Sequence, residues 1–165
     1  MSGLRAALAR DFPEILRHEG TWTGTYRHLD GEGRLVDRHQ SHVECTFPDA
    51  GPWAYVQRNR FTWDDGREQR VELPALLRDG RLWWDVPAFH GSAWASLEGT
   101  ILLRLERKDE PGAHFVELIV LAPDGRSRAR TWHRFRDGRL DRRTLCDETP
   151  EAPPRPALPA PGSAR

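Results

Sequence analysis

The stretch from Thr21 to Phe47 reads TWTGTYRHLDGEGRLVDRHQSHVECTF, and it contains two alternating segments joined by a glycine-rich turn. In the second segment the apolar residues Val43 and Cys45 share one face with Phe47, as the two-residue period of a half-buried β-strand requires. Aspartate and glycine tolerate the positive φ angles of tight hairpin turns, so the Asp-Gly dipeptide at positions 30 and 31 predicts a β-hairpin.

The same dipeptide recurs along the chain between other alternating segments. It stands at Asp65-Gly66, Asp79-Gly80, Asp124-Gly125 and Asp137-Gly138. A succession of hairpins leaves two unpaired edges unless the sheet closes on itself. The sequence therefore predicts an all-β protein, an antiparallel up-and-down barrel of about eight to ten strands.

Composition divides the chain into three parts. Residues 1–19 have a helical apolar period with a break at Pro13, so we expect a short N-terminal helical segment. Residues 20–148 carry the alternating segments of the barrel. Residues 149–165 are rich in proline and alanine and have few side chains large enough to drive burial, which predicts a disordered tail.

The net charge of the chain and the length of its apolar runs limit which partners we expect for it. The chain of 165 residues carries 25 basic and 25 acidic side chains, so no net field favours nucleic acid or an anionic membrane as a partner. No apolar run approaches the roughly 18 residues that span a bilayer, and residues 1–10 lack the apolar core of a secretory signal, so we expect a cytoplasmic protein. Cys45 and Cys146 are expected to be two reduced structural thiols.

A five-residue motif, Gly20-Thr21-Trp22-Thr23-Gly24, opens the first strand directly after the helical segment. This opening and the meander after it resemble the calycin superfamily, which includes lipocalins, fatty-acid-binding proteins and nitrobindin-like proteins. The chain is also similar to uncharacterised single-domain bacterial calycins. The resemblance implies a barrel that holds a small, mostly apolar molecule. It also implies that Trp22 covers the closed end of the barrel under a late-strand arginine, for which Arg142 and Arg143 are the candidates.

The resemblance also raises the question of a cofactor. The motif is most similar to the opening of nitrobindin-type haem barrels, whose iron takes an axial histidine from a late strand, and His133 is the matching position. Haem ligated by His133 is therefore an alternative to the main expectation, which is a barrel without a cofactor or metal.

The third strand offers the most pocket-like face. Its other face carries Arg58 and Arg60, which are better placed in water, and buried amides without partners cost about 1 to 3 kcal/mol, so amides kept inside suggest a ligand. The inward face is expected to consist of Tyr55, Gln57, Asn59, Phe61 and Trp63.

Two further residues complete the expected ligand-binding set. Adjacent Trp83 and Trp84 must point to opposite faces of their strand, so only one of them can face inward, and we expect it to be Trp84. His133 is expected to face inward because the alternate positions of its strand include Arg128 and Arg130, which make an unfavourable interior.

A carboxylate beside an imidazole suggests acid-base chemistry. His42 and Glu44 are two residues apart and share a strand face, but the apolar residues on the other face predict that this pair lies in solvent. The leading function is thus a barrel that binds an apolar or aromatic molecule. The alternatives are an isomerase or cyclase that uses His133, His42 or Glu44, and a haem protein.

Overall fold

The computed structural model describes residues 3–151, which form two short helices followed by ten strands. The helices are α1 (Gly3–Asp11) and α2 (Pro13–Leu16), with the break at the predicted proline. The strands are β1 (Gly20–Leu29), β2 (Leu35–Thr46), β3 (Tyr55–Thr62), β4 (Glu68–Arg78), β5 (Arg81–Asp85), β6 (Phe89–Ala95), β7 (Ile101–Arg107), β8 (Ala113–Leu121), β9 (Arg128–Arg136) and β10 (Arg139–Pro150).

The strands form a closed antiparallel barrel. Each strand pairs with the next along the chain, and β1 also pairs with β10, which closes the sheet. All five Asp-Gly dipeptides lie in turns between consecutive strands. At Asp79-Gly80 the φ angles are 51° and 69°, and at Asp137-Gly138 they are 49° and 77°, as two-residue hairpin turns of the primed type require. The predicted fold is confirmed.

The two ends of the barrel differ. At the covered end, where β1 begins, the side chains of Leu8, Phe12 and Ile15 from the helical segment are buried and pack in one core with Trp22 and Leu82. The opposite end, where β1 finishes, is bounded by turns such as the one at residues 30–34, and neither of the helices in residues 3–151 covers it. We call it the open end.

The barrel wall is incomplete between β4 and β5. These strands pair only through Leu76–Arg78, whereas β4 pairs with β3 from Glu68 to Ala75. Pro74, which cannot donate a backbone hydrogen bond, lies in the part of β4 that β5 does not follow. The Trp84 indole spans this gap by donating to the Leu73 carbonyl oxygen at 3.2 Å.

The last strand is longer than predicted. Thr149 and Pro150 continue β10 and pair with Thr23 and Trp22 of β1, two residues past the expected end of the barrel. The rest of the predicted tail, from residue 152 onward, lies outside the described residues.

Candidate functional site

At the covered end, Trp22 is 3% exposed, and its Nε1 donates to the His18 carbonyl oxygen at 3.0 Å. The cation stacked on the indole is the guanidinium of Arg128, 4.4 Å from the ring centroid. The expected packing of an arginine on Trp22 is thus present, but its predicted identity is wrong.

Antiparallel pairing explains that error. Trp22 pairs with Pro150, while Arg143 pairs with Leu29 at the other end of β1. Arg142 and Arg143 therefore belong to the open end, far from the indole they were expected to cover.

Gly24, the second glycine of the opening motif, makes room for a buried carboxylate. A Cβ atom there would lie 2.2 Å from the Asp147 carbonyl oxygen and 2.7 Å from Glu148 Cγ, closer than any real contact. Because Glu148 is 1% exposed and faces the interior, the motif needs a residue without a side chain at this position.

The orientation of β9 is opposite to the one predicted. Arg128 and Arg130 face the interior, at 4% and 5% exposure. Arg128 pairs with Glu148, and Arg130 Nε donates to Glu117 Oε1 at 2.7 Å. Two carboxylates thus neutralise two arginines, and this pairing is what makes their burial tolerable.

His133 consequently lies on the outer face of β9, together with Thr131 and Phe135. It stacks with Phe135 at 6.4 Å between ring centroids, and Phe135 stacks with His114 of β8 at 5.0 Å. The expectation that His133 faces the barrel interior is wrong. Haem bound inside the barrel through His133 does not fit this arrangement, because His133 points away from the interior.

His42 and Glu44 lie on the outer face of β2, as the alternation predicted. His42 Nε2 is 3.1 Å from Glu151 Oε1, and Glu44 Oε2 is 3.6 Å from Arg58 Nη1. The pair therefore contributes no acid-base group to the interior.

The expected inward face of β3 is present. Tyr55, Gln57 and Asn59 are buried and Phe61 is partly buried on the same side. Tyr55 Oη donates to Gln57 Oε1 at 3.0 Å, and Gln57 Nε2 donates to Asn59 Oδ1 at 2.9 Å. Both ends of the Gln57 amide and the oxygen of Asn59 thus have protein partners, so the burial of these amides gives no evidence of a ligand. Trp84 is also buried and faces inward; a ligand-binding role for any of these residues stays a prediction.

A cluster that the sequence did not single out lies inside the open end. His28 and Asp37 are direct partners across β1 and β2, and His39 follows Asp37 by two residues on the same inward face. One potential metal-ligand atom from each lies within 4.8 Å of the others. We call His28, Asp37 and His39 the open-end cluster.

Hydrogen bonds determine the protonation state of Asp37 and the tautomer of His39. Asp37 Oδ1 accepts from Trp63 Nε1 at 3.0 Å, and Asp37 Oδ2 lies 3.2 Å from His39 Nδ1. Burial acts to raise the pKa of Asp37, but the hydrogen bonds from His39 and Trp63 outweigh it and hold the pKa below its ordinary value. Burial lowers the pKa of His39 despite the nearby carboxylate. At neutral pH, Nδ1 of a neutral His39 therefore donates to an ionised Asp37, and Nε2 carries the free lone pair.

That lone pair is buried without a partner. His39 is 6% exposed, and within residues 3–151 its Nε2 has no hydrogen-bond partner. Four rings surround the imidazole, with centroids 4.6 to 5.1 Å away, and we call them the aromatic box. Its members are Tyr26, His28, Phe61 and Trp63.

His28 is fixed by a different contact. Its Nδ1 lies 2.7 Å from the Thr144 hydroxyl, and its Nε2 is 3.9 Å from Asp37 Oδ2. Burial first, and then the neighbouring His39 and Arg142, lower the pKa of His28 to about 4. Both histidines of the cluster are therefore neutral at pH 7.

The sequence contained a signal for this cluster. The alternation that puts Trp22 and Tyr26 inside the barrel also puts His28 inside, and the apolar face of β2 extends back through His39 to Asp37. The acid-base pair that the sequence predicts on this strand, His42 and Glu44, lies instead on the outer face. Two depressions of about 410 and 590 Å³ are lined mainly by outer-face residues, one on β1, β2, β9 and β10 and the other on β2 to β4.

Comparison with known proteins supports the fold. No protein-family model matches the sequence, and no curated protein matches it. A protein of unknown function from the DUF3598 family of Nostoc punctiforme has a TM-score of 0.66 at 19% identity, over 82% of this chain and 48% of that one. The chain thus spans about half the length of that protein.

Rv2717c from M. tuberculosis has a TM-score of 0.58 at 14% identity, over 92% of this chain and 99% of that one. EF1p2_mFAP2b, solved bound to DFHBI, has a TM-score of only 0.43 at 14% identity, over 91% of this chain and 100% of that one, too low to establish a shared fold. At these identities the first two likenesses show a shared barrel fold alone. In residues 3–151, no helix is long and apolar enough to cross a membrane.

Proposed function

We propose that the protein is a calycin-like barrel that binds a small aromatic or otherwise apolar molecule at its open end, against His39 and the aromatic box. The single observation that carries the proposal is the buried lone pair on His39 Nε2, which has no partner in residues 3–151. An unpaired buried polar atom costs about 1 to 3 kcal/mol. Five buried side-chain atoms in residues 3–151 lack a partner, and four of them belong to the charged groups of Arg128, Arg134, Arg143 and Glu148. His39 Nε2 is the one that belongs to a neutral ring.

The site also suggests the chemistry of the ligand. Since Asp37 holds the His39 proton on Nδ1, Nε2 can only accept a hydrogen bond, so the ligand must offer a hydroxyl or N–H donor. The rings of Tyr26, Phe61 and Trp63 provide the apolar surroundings that small-molecule sites usually have. A planar aromatic molecule with one donor fits both requirements.

A ligand could reach the site through two places where the barrel is not covered or fully paired. Neither described helix covers the open end, and β5 leaves part of β4 without a neighbour on that side. Trp63 is the partly exposed wall of the aromatic box, and the guanidinium of Arg67 stacks on it at 4.8 Å.

The test uses pairs of probe molecules that differ only in the donor. Binding of indole and N-methylindole, and of phenol and anisole, is measured by isothermal titration calorimetry in EDTA. We expect the donor-bearing member of each pair to bind about tenfold more tightly, which corresponds to about 1.4 kcal/mol for one hydrogen bond.

Two matched variants test whether His39 causes the preference for the donor-bearing probe. His39→Phe keeps an aromatic ring but removes the lone pair, so the preference for the donor should disappear. His133→Phe makes the same change on the outer face and should leave the preference intact. Equal binding within each pair in the wild type, or a preference that survives in His39→Phe, would contradict the proposal.

A second function is favoured by the Asp37–His39 contact. An imidazole lone pair held in one tautomer by a carboxylate can accept a proton from a bound molecule, as isomerases and cyclases require. His39, rather than His133 or His42, would then be the general base. Proton exchange into deuterated solvent at an enolisable ligand carbon, followed by NMR, tests it, and the exchange should be lost in His39→Phe.

A further inference from the structure

The open-end cluster brings two imidazoles and one carboxylate together from neighbouring strands. His28 and Asp37 are cross-strand partners, and His39 is diagonal to His28 on the same face. Asp37 Oδ2 is 3.2 Å from His39 Nδ1 and 3.9 Å from His28 Nε2.

These spacings are close to those of a metal site. Zinc binds nitrogen and oxygen ligands at about 2.0–2.2 Å in a tetrahedral arrangement, which puts the ligand atoms about 3.3 Å apart. One pair in the cluster already has this separation, and the pair between Asp37 and His28 needs to contract by roughly half an ångström. All three ligand atoms lie within 4.8 Å of one another, so the pair of imidazole nitrogens must also approach when an ion binds.

Contacts outside the cluster hold two of the ligands in the required orientation. The Thr144 hydroxyl faces Nδ1 of His28, so a proton on Nδ1 leaves Nε2 free to bind a cation. The Trp63 indole donates to Asp37 Oδ1 and leaves Oδ2 directed at the cluster. Hydrogen bonds of this kind, made by the far atom of each ligand, are typical of protein metal sites.

The ligand types decide which ion fits. Imidazole suits zinc and the neighbouring transition metals, whereas magnesium and calcium prefer sites made of oxygen atoms. The site has one carboxylate, and the positive charge of Arg142 on β10 acts on His28, one of the three ligands, against the binding of a cation. Selection therefore rests on the two nitrogen donors rather than on negative charge.

We propose that His28 Nε2, Asp37 Oδ2 and His39 Nδ1 bind one divalent transition-metal ion such as Zn²⁺. The ion takes the place of the Nδ1 proton that His39 donates to Asp37, and this proton moves to Nε2, so His39 binds as a neutral imidazole. The fourth position of the ion is filled by water or by a small ligand. This site goes beyond the proposed function and does not depend on it.

The test uses the full chain after removal of metals with EDTA and dialysis. Zn²⁺ binding is measured by calorimetry, and Co²⁺ serves as a spectroscopic probe because its visible bands report coordination number. We expect one ion per chain and four-coordinate Co²⁺ that Zn²⁺ displaces. No binding at millimolar Zn²⁺ would overturn the proposal.

Single variants identify the ligands. His28→Gln, Asp37→Asn and His39→Gln should each weaken binding by at least tenfold. Thr144→Val, which removes only the orienting hydroxyl, should weaken it by about 10- to 100-fold. The outer-face variant His133→Gln is the control. Circular dichroism checks that each variant folds. If a ligand variant is unstable, the zinc affinity of Thr144→Val tests the site in its place.

The outcomes separate this proposal from the proposed function. Binding that is unchanged in all three ligand variants, or lost in His133→Gln, would place the ion elsewhere and reject the site. The indole and phenol comparisons are made in EDTA, so they can succeed or fail whatever the metal result. Likewise the zinc titration contains no aromatic ligand.

Discussion

The covered and open ends of the barrel solve the problem of buried polar groups in different ways. At the covered end and behind it, Arg128 and Arg130 are matched by Glu148 and Glu117, and Arg128 stacks on Trp22. At the open end, neutral histidines surround one carboxylate, and a lone pair stays unpaired. Arg128 Nη2 and Glu148 Oε1 also lack a hydrogen-bond partner, but these two groups are already joined in an ion pair, whereas His39 Nε2 is the free acceptor of a neutral ring. The first arrangement uses its polar groups to hold the barrel together, and the second leaves an acceptor that can bind a ligand.

The largest effect is expected from removing one member of an interior ion pair. Glu117→Leu leaves the buried guanidinium of Arg130 without its closest carboxylate, and breaking one side of a buried pair costs about 3 to 5 kcal/mol. Urea denaturation measures the loss of unfolding free energy.

The double variant Glu117→Leu with Arg130→Met is the control for that measurement. Replacing a whole buried pair by apolar groups is often close to neutral, so the double variant should recover most of the lost stability. If the double variant is as unstable as the single one, the pair is not the cause.

The substitution Trp22→Ala removes the buried indole that fills the covered end. The indole is 3% exposed and packs with the helices, so its removal should cost about 3 to 5 kcal/mol. Trp83, which faces outward under Arg78 at 4.4 Å, gives the matched control, and Trp83→Ala should cost about 1 kcal/mol or less. Similar losses in the two thermal melts would contradict a plugging role for Trp22.

The sequence was sufficient for the fold but not for the site. Asp-Gly turns and alternation depend on local backbone geometry, so the hairpins, and the inward face of β3 from Tyr55 to Phe61, could be predicted. The orientation of β9 could not, because Arg128 and Arg130 are acceptable inside only when Glu148 and Glu117 arrive from distant strands. Local patterning carries no information on such partners, and His133 was misplaced for that reason.

Buried His18 at the covered end should make the stability of the protein depend on pH. Burial first, and then the charges of Arg128, Arg130 and Arg17, lower the pKa of His18 to about 3, against about 6.5 in an unfolded chain. Between these values the unfolded state binds a proton that the folded state does not. Stability is therefore complete above pH 6.5 and falls, as pH decreases toward 3, by up to about 1.4 kcal/mol per pH unit.

Denaturation of the wild type and of His18→Gln between pH 7 and pH 5 measures this contribution. The wild type should lose stability more steeply than the variant, by the amount that corresponds to about one proton. His28 and His39 contribute in the same direction in both proteins and cancel in the comparison. Parallel slopes would mean that His18 is protonated in the folded state or exposed.

The smallest effect on stability is expected at the open end, where it is also the most informative. His39→Phe removes the hydrogen bond to Asp37 but also removes the cost of an unpaired buried nitrogen, and the new ring fits among Tyr26, Phe61 and Trp63. These contributions offset each other, so the free energy of unfolding should change by less than about 1 kcal/mol. Loss of donor preference and of zinc binding in a variant of normal stability would show that His39 is kept for binding. A loss above about 2 kcal/mol would show instead that His39 stabilises the barrel, which would make the two ends alike.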